Sequence, residues 1–281
     1  MVRLEREIKM KLSIVASINE DKGSPDRIDK KFSLLCEFLK PLGYSGIELS
    51  LLKPENIDLK PILETLNSYN MHIPAIGTGG TFIRYGYSLG HRKKHVRKKA
   101  VDVLEKYMDF AAKSQSLVII GLIRGRYSYK SNSEKEKLNI FNSLTKCIEM
   151  AEDKNVTLAF EPINRFEIDS YHTISNSLDL LEELHSNHLK ILIDTFHIHL
   201  EENLDTVFTL LENNISKICH IHLADCNRRS PGSGHFPFRK LFEIFENDKY
   251  NGFYSLETIM YPSFEDVAEQ SANYLFNLLG K

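Results

Sequence analysis

Glu161, Asp194, His222 and Glu257 set carboxylate and imidazole side chains at intervals of 33, 28 and 35 residues. Each falls in a short apolar run: TLAFEPI (157–163), KILIDTF (190–196), KICHIHL (217–223) and FYSLETI (253–259). Three carboxylates drawn into one dry place would repel, because like charges raise each other's pKa and resist joint ionisation. A divalent cation removes that obstacle. Three oxygen donors and one imidazole suit a single hard or borderline ion, Mn²⁺ foremost and Mg²⁺ or Co²⁺ next. A structural zinc would more usually take thiolates in a closed tetrahedron. On the ion expected here, positions remain free for two substrate oxygens.

Taken singly, each residue has a plainer use. A Glu at a strand end is ordinarily a cap or an ion-pair partner, and a His in a run such as CHIHL is ordinarily a hydrogen-bonded core residue. His220 fits that second description, although it shares a face with His222. What the plain uses do not explain is four such residues recurring about once per repeating unit. Further polar residues cluster around them: Arg165 and Glu167 beyond Glu161, His197 three after Asp194, Arg228 six after His222. An Arg offers a fork of donors to a carbonyl, enolate or carboxylate oxygen. His197 and Glu167 could orient hydroxyls or carry protons. Arg124 and Arg126 stand between two readings, a grip on a substrate carboxylate or loop charges in solvent.

Eight short β-rich runs alternate with amphipathic segments along the whole chain. Besides the four above, they are KLSIVAS (11–17), GIELSLL (46–52), HIPAIGTG (72–79) and LVIIGLI (117–123). Helical spacing of apolar residues covers 28–39, 59–69, 96–112, 138–151, 174–184, 204–211, 238–245 and 264–279. Strict alternation implies parallel strands joined by right-handed crossovers. Eight units in about 250 residues is the size of a closed (β/α)₈ TIM barrel, expected here as one α/β domain over residues 1–281. A doubly wound open sheet would want a GxGxxG after its first strand, and none follows. In such a barrel chemistry sits at the C-terminal strand ends, so the four residues should meet at one side of the mouth, at similar height.

The balance of 36 basic and 38 acidic residues, a net charge of −2, leaves no electrostatic footprint for nucleic acid. The basic run HRKKHVRKK (91–99) reads as the solvated start of a helix rather than an anion grip. Cys36, Cys147, Cys219 and Cys226 have no paired spacing and are expected as reduced thiols. The N-terminal MVRLEREIKMK is charged and lacks the apolar core of an export signal. No apolar run approaches the roughly 20 residues that cross a bilayer. A cytoplasmic enzyme with no membrane or nucleic-acid partner is expected.

The landmarks FEPINRFE, LIDTFHIHLEE, HIHLADCNRRSPGSGHFPF and GFYSLE resemble those of the xylose isomerase-like barrel superfamily. The nearest branch is the sugar epimerases of the D-tagatose 3-epimerase and D-psicose 3-epimerase type. The resemblance spans nearly the whole chain. It implies a metal held by Glu161, Asp194, His222 and Glu257, with Glu167, His197 and Arg228 contacting substrate. AIGTGGTFIRYGYSLGH and LVIIGLIRGR resemble the sub-branch acting on 5-keto-L-gluconate, which implies a keto-acid rather than a neutral ketose. The chain has no Trp, so any indole contact of relatives must pass to another side chain. A homodimer or homotetramer is also implied.

The chemistry implied is epimerisation beside a ketone. The ion holds the carbonyl and a neighbouring hydroxyl, acidifying the C–H between them and stabilising a cis-enediolate. Glu161 and Glu257 exchange protons with opposite faces of that carbon. Arg228 would hold the carbonyl oxygen, while His197 and Glu167 fix the terminal hydroxyl. Two rivals share the barrel: an aldose–ketose isomerase such as hydroxypyruvate isomerase, and an apurinic-site nuclease of the endonuclease IV type. An aldehyde product would mark the first, about three metal ions per chain the second. A non-catalytic sugar- or metal-binding barrel is the third possibility; the paired carboxylates argue against it.

Overall fold

The computed structural model describes residues 10–17, 25–126, 133–245 and 250–280. The charged N-terminal segment lies outside them up to residue 9. Eight parallel strands close a barrel in chain order: β1 (Lys11–Ser17), β2 (Tyr44–Ser50), β3 (Ala75–Gly77), β4 (Leu117–Ile120), β5 (Leu158–Phe160), β6 (Leu189–Asp194), β7 (Ile218–Leu223) and β8 (Phe253–Leu256). β1 pairs with both β2 and β8, which seals the sheet. The fold is a single (β/α)₈ TIM barrel.

The eight expected helices are present as α1 (Pro25–Leu39), α2 (Leu59–Ser68), α4 (Lys94–Ser114), α5 (Ser133–Asp153), α6 (Ile174–Leu184), α8 (Leu204–Asn213), α9 (Phe238–Phe245) and α10 (Phe264–Leu278). The starts of α2, α6, α8 and α10 carry ordinary side-chain caps. Thr173 Oγ1 accepts the N–H of Asn176 at 3.2 Å and Ser263 Oγ that of Asp266 at 3.0 Å, each satisfying a free first-turn donor. Two further helices, α3 (Gly79–Tyr85) and α7 (Thr195–Glu201), follow β3 and β6 directly. Seven residues are two turns, too short for an apolar stripe to declare itself. The apolar runs of strands 3 and 6 therefore extend into them. The run from His91 opens α4 at Lys94 with largely exposed basic side chains, as expected of a solvated helix start.

Alternation along each strand sorts side chains between two cores. Val118, Ile120, Leu158, Phe160, Ile191, Ile193, Ile221 and Leu223 join the large cluster between sheet and helices. Ala75, Ile119, Ala159 and Leu192 form a separate small cluster. That cluster fills the barrel interior, as layers of side chains do in this fold. Two residues beyond Leu192 is Asp194, and two beyond Ala159 is Glu161. Both therefore point inward above an apolar floor. The expectation of similar height is refined by the register. Asp194 pairs with His222 and His222 with Ser255, so Glu257 stands two residues further along its strand, as the stagger of tilted barrel strands requires.

No described helix is long and apolar enough to cross a membrane. The four cysteines are unpaired: Cys36 and Cys147 buried, Cys219 and Cys226 partly so.

Candidate metal and acid–base centre

One donor atom from each of Glu161, Asp194, His222 and Glu257 lies within 4.8 Å of the other three. Asp194 and His222 are each 1 % exposed and Glu161 is 6 % exposed. Glu257 stands at the rim, about a third of its side chain open to solvent. His222 Nδ1 faces Glu257 Oε2 at 3.1 Å, Glu161 Oε1 at 3.7 Å and Asp194 Oδ2 at 3.8 Å. This nitrogen is buried and has no hydrogen-bond partner of acceptable geometry among the described residues. A buried, unpartnered ring nitrogen among three carboxylates fits a divalent cation, and the donor set is the hard-to-borderline one.

The local chain explains the convergence. β5 stops at Phe160, and Pro162 in the second position beyond it offers no N–H to a ladder. Gly121, just past β4, leaves the space that Glu161 occupies. A Cβ there would come within 2.4 Å of Glu161 Oε2. Asp194 ends β6 and also caps α7, its Oδ1 accepting the N–H of Phe196 at 2.8 Å. One turn into that helix, His197 turns Nε2 toward Glu161 Oε1 at 3.7 Å and Asp194 Oδ2 at 4.0 Å.

Two residues of the site are absent from the sequence-based set. Glu48, in the middle of β2, is 2 % exposed. Its Oε2 meets His220 Nε2 at 2.8 Å, and both its oxygens lie 3.1–3.2 Å from His222 Nε2. A carboxylate behind the outer nitrogen of a ligating imidazole fixes ring orientation and makes the inner nitrogen a better donor. Its signal is a charge between Ile47 and Leu49, in mid-strand and away from the strand ends where chemistry is expected. His220 is thus the core histidine of the plain reading, tied to the same carboxylate. Asn164 is the second. Its Oδ1 accepts the Phe166 N–H at 3.0 Å, which orients the amide. Its Nδ2 then reaches Glu167 Oε1 at 2.8 Å and His197 Nδ1 at 2.7 Å. The amide therefore links two of the three expected substrate contacts, with Glu167 itself about half exposed.

Arg228 has φ +61, an uncommon left-handed backbone for a non-glycine residue. Its N–H donates to Asp225 O and its carbonyl accepts from the Ile259 N–H, each at 2.8 Å. The guanidinium donates to Asp194 Oδ2 at 2.6 Å and to Glu257 Oε2, and lies 4.9 Å from the centre of the Phe196 ring. It thus enters the quartet itself.

These charges pull the two glutamates in opposite directions. Burial, aided by the charge of Glu257, raises the pKa of Glu161 above the usual carboxylate range. Burial works the same way on Glu257, but His222 and Arg228 outweigh it and hold that group well below the range. His222 is raised well above the ordinary histidine value: burial opposes the charge, and Glu48 and Glu257 overcome it. Glu48 is lowered to about 2, the two histidines outweighing burial.

Three other arginines have structural partners. Arg124 is fully buried. Its guanidinium donates to the carbonyls of Ile120 at 2.8 Å and Glu161 at 2.6 Å, and stacks 4.4 Å over Phe160. A grip on a substrate carboxylate and a loop charge in solvent both give way, for this residue, to a brace under Glu161. Arg126 donates to the Phe166 carbonyl. Arg165 makes a forked pair with Glu201 at 2.6–3.0 Å.

With that geometry in view, comparison with known proteins defines the class. The profile of the xylose isomerase-like TIM barrel family matches residues 36–278, and the chain belongs to that family. It is 23% identical over 242 residues to 3-dehydro-D-guloside 4-epimerase of Escherichia coli (strain K12), covering 82% of this chain and 86% of the relative. It is 27% identical over 153 residues to D-psicose 3-epimerase of Enterocloster bolteae, about half of each chain. Among solved structures, D-allulose 3-epimerase from Methylomonas sp., in complex with D-allulose, superposes with a TM-score of 0.79 at 17% identity, covering 95% of this chain and 96% of that one. These relatives put the chain among enzymes of the isomerase class.

Proposed function

We propose that this barrel, as one domain, is a divalent-metal-dependent epimerase that inverts the carbon beside the ketone of a ketose or keto-acid sugar. The observation that carries the reading is the quartet of Glu161, Asp194, His222 and Glu257, with the unpartnered His222 Nδ1 among the carboxylates. Those four residues would hold one ion, Mn²⁺ foremost. Bound there, it would supply Lewis acidity that acidifies the C–H beside the ketone.

Glu161 and Glu257 supply the proton chemistry. They follow β5 and β8, strands separated by two others, and both approach His222 Nδ1. Two carboxylates reaching one carbon from opposite faces can remove a proton from one side and return one to the other. The substrate passes through a planar cis-enediolate between the two transfers. In one direction one of Glu161 and Glu257 removes the proton and the other returns one, with roles exchanged in reverse. Arg228 steadies negative charge at the keto oxygen. His197 and Glu167, joined through Asn164, hold a distal hydroxyl.

The names of the relatives support keto-sugars as the substrate class. The 5-keto-L-gluconate likeness of the loops favours a keto-acid. A cytoplasmic homodimer or homotetramer completes the reading. The test is incubation of Mn²⁺-loaded protein with a panel of ketoses and keto-acids in D₂O. Deuterium at one inverted carbon is the expected result. An aldehyde product would transfer the chain to the aldose–ketose isomerases. Absence of exchange across the panel would leave a non-catalytic barrel.

A further inference from the structure

Beside the mouth, and sharing no residue with the quartet, is a second cluster of donors. His199 lies on α7, two residues after His197. Cys226 and His235 lie on the long loop after β7 that also carries Arg228. One ligating atom from each lies within 4.8 Å of the others. Cys226 Sγ and His235 Nδ1 are 3.2 Å apart, and the rings of His199 and His235 meet edge to face at 5.0 Å. His199 Nδ1 is buried and has no hydrogen-bond partner among the described residues.

The loop is built to bring these donors together. Asp225 accepts the N–H groups of Cys226 at 2.8 Å, Gly232 at 2.9 Å and Phe236 at 3.0 Å, drawing the two ends of the loop onto one carboxylate. Gly234 provides the clearance: a Cβ there would come within 2.6 Å of Cys226 Sγ and 2.4 Å of Asp225 Oδ1. Cys226 and His235, nine residues apart in sequence, therefore face each other. A Cys–His hydrogen bond that merely staples the loop would account for those two. It gives no reason for a third donor within ligating distance, on a ring whose buried Nδ1 has no hydrogen-bond partner among the described residues.

We propose that His199, Cys226 and His235 form a second metal site, selective for a thiolate-seeking divalent ion of the Zn²⁺ class. Two imidazoles and a thiolate, with no carboxylate oxygen, are soft-to-borderline donors that favour such an ion over Mg²⁺ or Mn²⁺. Tetrahedral bonds of about 2.3 Å to sulfur and 2.0 Å to nitrogen separate an S–N ligand pair by roughly 3.5 Å. The observed 3.2 Å is within a few tenths of that. His235 is exposed, which gives the ion an entry path and leaves a fourth position to water. Binding releases the Cys226 thiol proton to solvent as the sulfur takes the ion, and no electron changes hands. The ion would tie α7, bearing His197, to the loop bearing Arg228. It would brace both arms of the mouth without touching substrate.

The site does not depend on the epimerase reading, and one titration tells the two apart. Metal-stripped protein is titrated with Co²⁺, which reports its ligands optically. Cobalt in the oxygen-rich quartet gives no sulfur-to-metal charge-transfer absorption, whereas cobalt on Cys226 gives it in the near ultraviolet. The expected result is that band at one equivalent per chain, displaced by Zn²⁺ but not by Mg²⁺. Cys226→Ser and His199→Gln should each lose the band and one bound equivalent, with circular dichroism unchanged. Asp194→Asn and Cys219→Ser should keep it. Absence of the band in the unsubstituted protein overturns the proposal, whatever the variants do. So does a band that survives Cys226→Ser.

Discussion

The two halves of the barrel mouth differ in kind. Strands β5 to β8 deliver Glu161, Asp194, His222 and Glu257, all within one ion's reach. Strands β1 to β4 end at Ser17, Ser50, Gly77 and Ile120, with Thr78 and Gly121 just beyond β3 and β4. Among the described residues, no charge stands at those ends. That half contributes Glu48, which acts from below through His222, and Gly121, which acts by taking no space. Outside them Ser17, Ser50, Leu52, Gly80, Ile83 and Arg84 line a cavity. The ligating side chains are thus concentrated on one half, and the other borders an open cavity. Gly121 and Arg124, just past β4, hold Glu161 in place; loops after β1 to β3 can vary without disturbing the ligands. A family of barrels can share one centre and differ in sugar for that reason.

The contrast can be broken most directly on the charged half. Glu257→Gln and Glu161→Gln should each lower kcat by about 10³-fold, the scale of a lost general acid or base, while circular dichroism stays that of the parent. Near-normal epimerisation by either variant would end the two-base scheme. Gly121→Ala tests whether the quiet half matters through space alone. Its Cβ would push Glu161 from its place, and a displacement of about 1 Å at reacting groups costs on the order of 10²-fold in rate. A silent Gly121→Ala would show Glu161 free to move aside.

Glu48→Gln sharpens the comparison by separating orientation from chemistry. Metal affinity measured by calorimetry should fall about 10- to 100-fold, the usual effect of losing a carboxylate behind a ligating histidine. His222 should also protonate at lower pH, since Glu48 is among the charges that raise it. The pH dependence of the parent protein has a definite sign. Glu161 and His222 both hold protons more tightly than usual, and an ion must displace them. Affinity should therefore weaken as pH falls, by up to about tenfold per pH unit for each proton released. An affinity that rises on acidification would contradict the ligand set. The smallest effect is expected across the mouth. Arg84→Ala should raise KM less than about tenfold with kcat unchanged, the mark of lost uniform binding. A collapse of kcat there would erase the distinction between the halves.

Much of this architecture is legible in the amino-acid sequence alone. Apolar runs of strand length alternating with 3.6-residue periodicity are local signals, and they mark all eight strands and eight of the helices. They do so because each β/α unit must bury one face of its own helix on its own strand. The one-unit spacing of Glu161, Asp194, His222 and Glu257 is legible for the same reason: a repeating unit returns equivalent positions to one end of the sheet. α3 and α7 escape notice because two turns carry no period. Arg165 looks available for chemistry because nothing nearby in sequence reveals Glu201, 36 residues on.

The sequence by itself determined which residues sit at strand ends and on which face, since alternation and chain length suffice for that. Only the tertiary structure decided their partners. Glu48 reaches His222 across 174 residues, Arg124 is spent on carbonyls, and Cys226 meets His199 and His235. Closure and stagger of the barrel set these pairings, and both are properties of all eight strands together. No local window of sequence contains them.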